Sequence, residues 1–469
     1  VSWSKFEYQL QTWLERGLDQ RLRLAVTGLS RAGKTAFISA LVYQLRHLNA
    51  QQQLPLLQVA REGRLLGCKR THQPDLSIPR FPYDQALAAF YSQPPYWPQP
   101  TNGISEICLN LRYRPQTSLK RYLGEVASLQ LEIVDYPGEW LLDLPLLEQD
   151  FITWSQTSID YLQHHPQRRA LAQTWWQGVE ALDVLAPADE HKIAQLAALY
   201  TENLHQSKAA GFAWIQPGRF IMPADHAGAP ILEFFPLPQL DKYSAEQIHQ
   251  AAPDSLFALL QQRFEYYKNH LVRPFYKEHF SRFDRQIVLI DLLQALNAGH
   301  EKVLDTQMTL TQLLQSFRYG QRDFLRRLFA PRIDRLLFAI TKSDHVTRDQ
   351  DPALCQLLQN LLQDPLQDLR TDAVQLQIQP LASVRATQEL ILELSDGQKT
   401  PALKGHNLQG EVLTFYPGEV PKSLPSPDFW QTQGFEFVHF APPSLHQEQA
   451  LAHLRMDEAL EFLLGDKLA

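Results

Sequence analysis

Gly28-Leu29-Ser30-Arg31-Ala32-Gly33-Lys34-Thr35 matches G-x-x-x-x-G-K-[ST], the Walker A phosphate-binding loop, and it follows the apolar run Leu22-Arg23-Leu24-Ala25-Val26. The glycines let the backbone turn tightly, so that successive N–H groups point at phosphate oxygens. Lys34 then reaches the β and γ oxygens and the Thr35 hydroxyl is a ligand for Mg²⁺. The dipole of the helix that follows adds to the attraction. Ser30, Arg31, Ala32, Gly33, Lys34, Thr35 and Ala36 are therefore the expected phosphate contacts. A strand, a glycine loop and a helix in that order open an α/β fold.

The 469 residues are enough for two or three domains, and 44% hydrophobic content with 10% aromatics supplies real cores. A net charge of −7 argues against a general nucleic-acid binder, which needs a basic face. Cys68, Cys108 and Cys355 are too scattered for a disulfide framework or a zinc site, and a reducing cytoplasm fits them. The apolar stretches are short of the ~20 residues that cross a bilayer, so no transmembrane segment is expected. No basic-then-apolar leader is legible from Val1. The sixteen histidines form no zinc-type grouping. The arginines at 318, 322, 326, 327, 332 and 335 suit a solvated helix face or contact with anionic lipid or an acidic partner.

Residues 1–143 are expected to hold an N-terminal amphipathic helix (Trp3, Phe6, Leu10, Trp13, Leu14) and the first part of a nucleotide domain. Within it, residues 51–105 read as an irregular, Pro-rich excursion, and Glu106 to Tyr113 with Ser128 to Val134 as a hairpin. Helical spacing then dominates, which makes 144–285 a mainly helical insertion. Residues 286–469 return to alternating strands and helices, with strands at 286–291, 336–340 and 374–381. Helices are expected at 301–317 and 353–369, and the tail adds an aromatic strand at 435–440 and a helix from about Leu445 to Leu464. The alternation predicts a mainly parallel sheet flanked by helices.

Two more stretches stand at strand ends. Asp135-Tyr136-Pro137-Gly138 closes the run Leu129 to Val134. A rigid strand tip suits a carboxylate that holds Mg²⁺ through water, and Gly138 can offer its N–H to a γ-phosphate; the bland alternative is an Asp-Pro-Gly turn. Thr341-Lys342-Ser343-Asp344 follows Leu336 to Ile340. A carboxylate there accepts from both guanine N1–H and the exocyclic amine, a donor pair adenine lacks, while the Lys342 stem covers the ring; alternatively Ser343 or Asp344 only caps a helix.

In this order the three motifs resemble those of the Ras-like G-domain superfamily of GTPases, P-loop NTPases that bind GTP or GDP with Mg²⁺. That resemblance makes Ser383 and Val384 the candidates for a second base contact, although Val384 and Arg385 depart from the usual pattern. It makes Thr101 the switch threonine that ligates Mg²⁺, with Thr117 and Thr71 as rivals at poorer positions. Glu139 stands where many such proteins carry a water-orienting glutamine, and equally where a helix opens with an acidic residue. Arg31 is either a charge-compensating arginine or an ordinary surface one. Catalysis would then involve Lys34, Gly138, Glu139 and Arg31.

A narrower resemblance joins the loop, Val134 to Trp140, Pro217-Gly218-Arg219-Phe220, Ala295-Leu296-Asn297, Phe435-Glu436-Phe437 and Leu463 to Leu468. Together these look like the YcjX family of bacterial P-loop GTPase-like proteins. The family implies a nucleotide switch in a bacterial stress response and a protein partner at a membrane, hence a cytoplasmic protein, peripheral at the inner membrane if it meets that partner there. A scaffold that responds to GDP and GTP with little hydrolysis, and an ATP-using P-loop enzyme, are the alternatives.

Overall fold

The computed structural model describes residues 20–29, 31–47, 53–101, 103–116, 125–318, 333–363, 374–393, 397, 399–445 and 450–469, with side chains in the helix before 318 described to Leu314. Ser30, Thr117, the expected N-terminal helix and the arginines at 322, 326, 327 and 332 lie outside these residues, as does the side chain of Arg318.

The chain divides into two compact units. The first takes the described residues of Val1–Tyr136, Phe283–Asn297 and Arg332–Ala469, and the second those of Pro137–Arg282 and Ala298–Pro331. The expected boundaries at 143/144 and 285/286 therefore differ from the observed grouping, in which residues 137–143 and the helix His300–Arg318 belong with the second unit.

The first unit is α/β. Its strands are β1 (Gln20–Gly28), β2 (Leu65–Thr71), β3 (Ser105–Tyr113), β4 (Ala127–Asp135), β5 (Arg285–Ile290), β6 (Arg335–Ile340) and β7 (Gln375–Pro380), in the sheet order β2-β3-β4-β1-β5-β6-β7. Strands β4, β1, β5, β6 and β7 run parallel, whereas β2 and β3 pair antiparallel. Every residue of β5 is buried, as a parallel strand covered on both faces requires. On one face Leu22, Leu24 and Val26 of β1 and Leu129, Leu131 and Ile133 of β4 pack with α1 (Lys34–Arg46) through Phe37, Ile38 and Leu41, and with the last helix through Leu460 and Leu463. A smaller antiparallel sheet holds β8 (Thr387–Glu393), β9 (Lys399–His406) and β10 (Val412–Phe415).

Three expectations change. The excursion at 51–105 contains β2 and the helix Tyr83–Tyr91. As an edge strand with an irregular register at Leu65/Gly67, β2 lacks the alternation of a half-buried strand. Residues 435–440 form no strand; their one β-bridge, Asn407↔Phe440, lies just past the end of β9. The closing helix is shorter, Met456–Leu464, because Leu454 bridges to Ala382 instead of joining it.

The second unit is mainly helical, with long helices Phe151–His164, Glu190–Ala209, Leu256–Tyr267 and His300–Arg318. The rings of Phe151, Trp154, Phe234, Phe264 and Tyr267 pack against one another in its core, mostly tilted or edge-on. Two buried aspartates tie its loops. Asp143 accepts from Gly218 N–H at 2.8 Å and from the Tyr267 hydroxyl at 2.5 Å. Asp305 accepts from the Tyr161 hydroxyl and the N–H groups of Ala213 and Trp214, with the Arg168 guanidinium 3.5 Å away.

Candidate nucleotide site

Parallel strands bring their carboxyl ends to one edge of the sheet, which is where ligands of open α/β sheets bind. The register aligns Val26 with Asp135, Gly28 with Leu289, and Ile290 with Ile340. The loop after β1, Asp135 closing β4, Asp291 after β5, Thr341–Asp344 after β6 and Ala382–Val384 after β7 therefore share that edge.

Gly28 is required by close packing, since a Cβ there would meet the Leu289 carbonyl oxygen at 2.7 Å. Leu29 N–H donates to that same carbonyl at 3.1 Å, and Ala32 N–H donates back to Leu29. Arg31 (φ 63°) and Gly33 (φ 85°) take left-handed conformations that bend the loop into α1. The first N–H groups of α1 have no acceptor within their own helix, and no side chain caps its start, so they suit an anion. Thr35 is buried at the first turn, Ala32 and Ala36 are buried beside it, and Arg31 is exposed.

Asp135 is fully buried. One carboxylate oxygen accepts from the Thr101 hydroxyl at 2.5 Å, whereas Oδ1 is buried without a hydrogen-bond partner. Burial pushes its pKa above the usual carboxylate range, opposed by Lys34 and by the Thr101 bond. An orphaned carboxylate oxygen under the influence of the Lys34 charge and beside the Thr101 hydroxyl offers hard oxygen donors, which fits Mg²⁺. Among the described residues no group of three or more His, Cys, Asp or Glu is arranged to hold a metal by itself.

At the β6 tip Lys342 is left-handed (φ 58°) and Asp344 is buried. Asp344 Oδ2 accepts from Ala386 N–H at 2.6 Å, so the carboxylate is held by the loop that carries Ser383 and Val384. Burial raises the Asp344 pKa to about 6, with the Ala386 bond opposing. Val384 is buried and Ser383 half-buried. Lys342 Nζ pairs with Asp291 at 2.5 Å, an acidic partner the motif reading missed although Asp291 directly follows the apolar strand β5, as Asp135 closes β4.

Gly138 and Glu139 continue the chain from Asp135 but group with the helical unit. There the buried Glu139 carboxylate pairs with Lys208 at 2.8 Å. The Glu139 carbonyl lies so near Gly218 that a Cβ would approach it to 2.1 Å, which explains the glycine of Pro217-Gly218-Arg219-Phe220.

The YcjX-like family, DUF463, matches residues 22–468. The chain belongs to this family. It is 50% identical over 465 residues to Ras-like GTPase YcjX of Escherichia coli (strain K12), an alignment covering 99% of each chain. It is 43% identical over 488 residues to the Ras-like GTPase YcjX of Shewanella oneidensis, which covers 100% of this chain and 99% of the relative.

Proposed function

We propose that the chain binds guanine nucleotides with Mg²⁺ and hydrolyses GTP to GDP and phosphate, slowly without a partner. The observation that carries this reading is the buried Asp344 carboxylate, fixed by Ala386 N–H at the sheet edge that also carries the phosphate loop and the orphaned oxygen of Asp135. The names of the relatives support the same activity.

In this reading the backbone of residues 30–36 cradles the phosphates, Lys34 offsets charge on the β and γ oxygens, and Asp344 with Ser383 and Val384 selects the base. Thr35, Thr101 and Asp135 would hold Mg²⁺, which neutralises phosphate charge when bound. Gly138 offers its N–H to the γ-phosphate, and the exposed Arg31 adds positive charge. Glu139, held by Lys208, serves the helical unit rather than the attacking water. That pairing also favours a second reading, a GDP/GTP-responsive scaffold with little hydrolysis. The helical unit is then an insertion that transmits the nucleotide state to a protein partner. The stress-response setting and the partner at the inner membrane come from the family resemblance; among the described residues no helix is long and apolar enough to cross a membrane.

Titration with fluorescent GDP, GTP and ATP analogues tests the reading, with phosphate release followed in the same samples. Guanine-selective binding that Asp344→Ala abolishes is expected, and equal affinity for ATP would overturn the base assignment. Binding without phosphate release would leave the scaffold.

A further inference from the structure

The run Gln286 to Ile290 ends in Asp291, whose two carboxylate oxygens do different work. Oδ1 accepts from Gln294 N–H at 3.0 Å and so caps the short helix Leu292–Ala298. Oδ2 takes the ammonium of Lys342 at 2.5 Å. The Asp291 side chain is 4% exposed and that of Lys342 28%. Lys342 therefore keeps part of its side chain open while its ammonium is held from the neighbouring strand. Arg31 and His439 act electrostatically on the same spot: Lys342 and Arg31 both help burial to push the His439 pKa down, and Asp291 opposes them. The cap is itself anchored, because Asn297 at the other end of the helix exchanges two 2.8 Å hydrogen bonds with the backbone of Phe437.

We propose that Asp291 is a positioning residue for the nucleotide base. It holds the Lys342 ammonium so that the lysine stem is already ordered as a platform for the face of the guanine ring whose edge Asp344 reads. This inference rests on the guanine-nucleotide reading above. A lysine stem loses rotamer freedom when a ligand immobilises it, and an ion pair that orders it beforehand removes that cost from binding. The scale of that cost corresponds to about a three- to tenfold change in affinity.

Asp291→Asn separates the two jobs of the residue, since asparagine caps a helix as well as aspartate does but carries no charge for Lys342. Titration of the full chain with GDP, GTP and, as a ligand without a base, inorganic pyrophosphate, all with Mg²⁺, reads the effect. The expected result is that Asp291→Asn weakens GDP and GTP equally, about three- to tenfold, and leaves pyrophosphate unchanged. Asp291→Glu should recover part of the loss. Lys342→Ala should weaken GDP binding, and adding Asp291→Asn to it should cost nothing more. A GDP affinity unchanged in folded Asp291→Asn, an equal loss for pyrophosphate, or full additivity with Lys342→Ala would overturn the proposal. If Asp291→Asn does not fold, the pair is tested from the other side: Lys342→Gln, which keeps most of the stem, must show the same base-dependent loss, and its absence overturns the proposal too. Absence of guanine-selective binding in the wild type would instead bring down the nucleotide reading itself, and with it this inference.

Discussion

Asp135 in the α/β unit and Asp305 in the helical unit are both fully buried carboxylates, but the chain treats them in opposite ways. Asp305 receives a hydroxyl and two backbone N–H donors, with an arginine beside it whose guanidinium lies against the rings of Tyr161, Phe212 and Trp214. Asp135 receives one hydroxyl and keeps an oxygen without a partner. Burying a charge is costly unless hydrogen bonds and counter-charges offset the lost hydration. In the helical unit the fold supplies the whole offset. At the sheet edge the fold supplies only part of it, and on the proposed function a bound nucleotide with Mg²⁺ supplies the rest.

The largest expected effect breaks that contrast directly. Asp305→Ala leaves two backbone N–H groups and a tyrosine hydroxyl without their acceptor and the buried Arg168 without its counter-charge, and should cost about 3–5 kcal/mol in urea unfolding. Asp135→Asn should change the stability of the nucleotide-free protein by less than about 1 kcal/mol. It should nonetheless weaken Mg²⁺-dependent nucleotide binding about 10- to 100-fold, as loss of a carboxylate that orients metal-bound water does. Equal destabilisation by the two substitutions would show that Asp135 is as structural as Asp305.

A smaller effect comes from pH. Asp143 and Asp344 are both raised to about 6, in each case chiefly by burial. A folded-state value above the unfolded one means that the native state binds more protons between about pH 4 and 6. Stability should therefore fall as pH rises through that window, by at most roughly 2–3 kcal/mol per group, and Asp143→Asn should flatten part of the slope. Binding separates the two residues. On the proposed function guanine donates to an ionised Asp344, so GDP affinity should rise with pH up to about 6 and then level off. Asp143→Asn should leave that binding profile intact, and a GDP affinity independent of pH from 5 to 7.5 would argue against Asp344 as the base contact.

What was legible in the sequence follows the same division. Gly28, Lys34, Asp135 and Asp344 stand in short motifs, and on the proposed function that is because a phosphate or a base is met by groups a few residues apart at a strand tip. The α/β alternation was readable since buried central strands carry apolar runs, Ile287–Ile290 in β5 and Leu336–Ile340 in β6. Asp291 was missed because its partner Lys342 lies 51 residues away and only the sheet register joins them. The small sheet escaped because β9 contains Pro401 and Gly405, and Gly405 is needed where Phe440 packs within 2.7 Å of a would-be Cβ. Residues 435–440 carry strand-like aromatics, but those rings are used for stacking, Phe435 on Phe437 and Phe415 on Phe440.

Glu139 sharpens the comparison because its sequence position suggests an Asp135-like role and its contacts an Asp305-like one. It follows the Asp-x-x-G stretch by one residue, yet it is buried to 8% exposure and its carboxylate meets the Lys208 ammonium, itself mostly buried, at 2.8 Å. A carboxylate whose charge is already balanced in this way is a poor base for water and a reasonable tie within the helical unit. Glu139→Gln keeps the size and one acceptor, so it should lower stability by only about 1 kcal/mol. Phosphate release at saturating GTP should stay within about threefold of the wild type, since a positioned general base normally contributes 10²–10⁴-fold. Lys208→Ala should cost a similar amount, and the double variant less than the sum, as expected for two groups that share one interaction. A hundredfold fall in phosphate release with no change in stability would move Glu139 to the other side of the comparison, with Lys208 then acting as the group that holds a catalytic carboxylate in place.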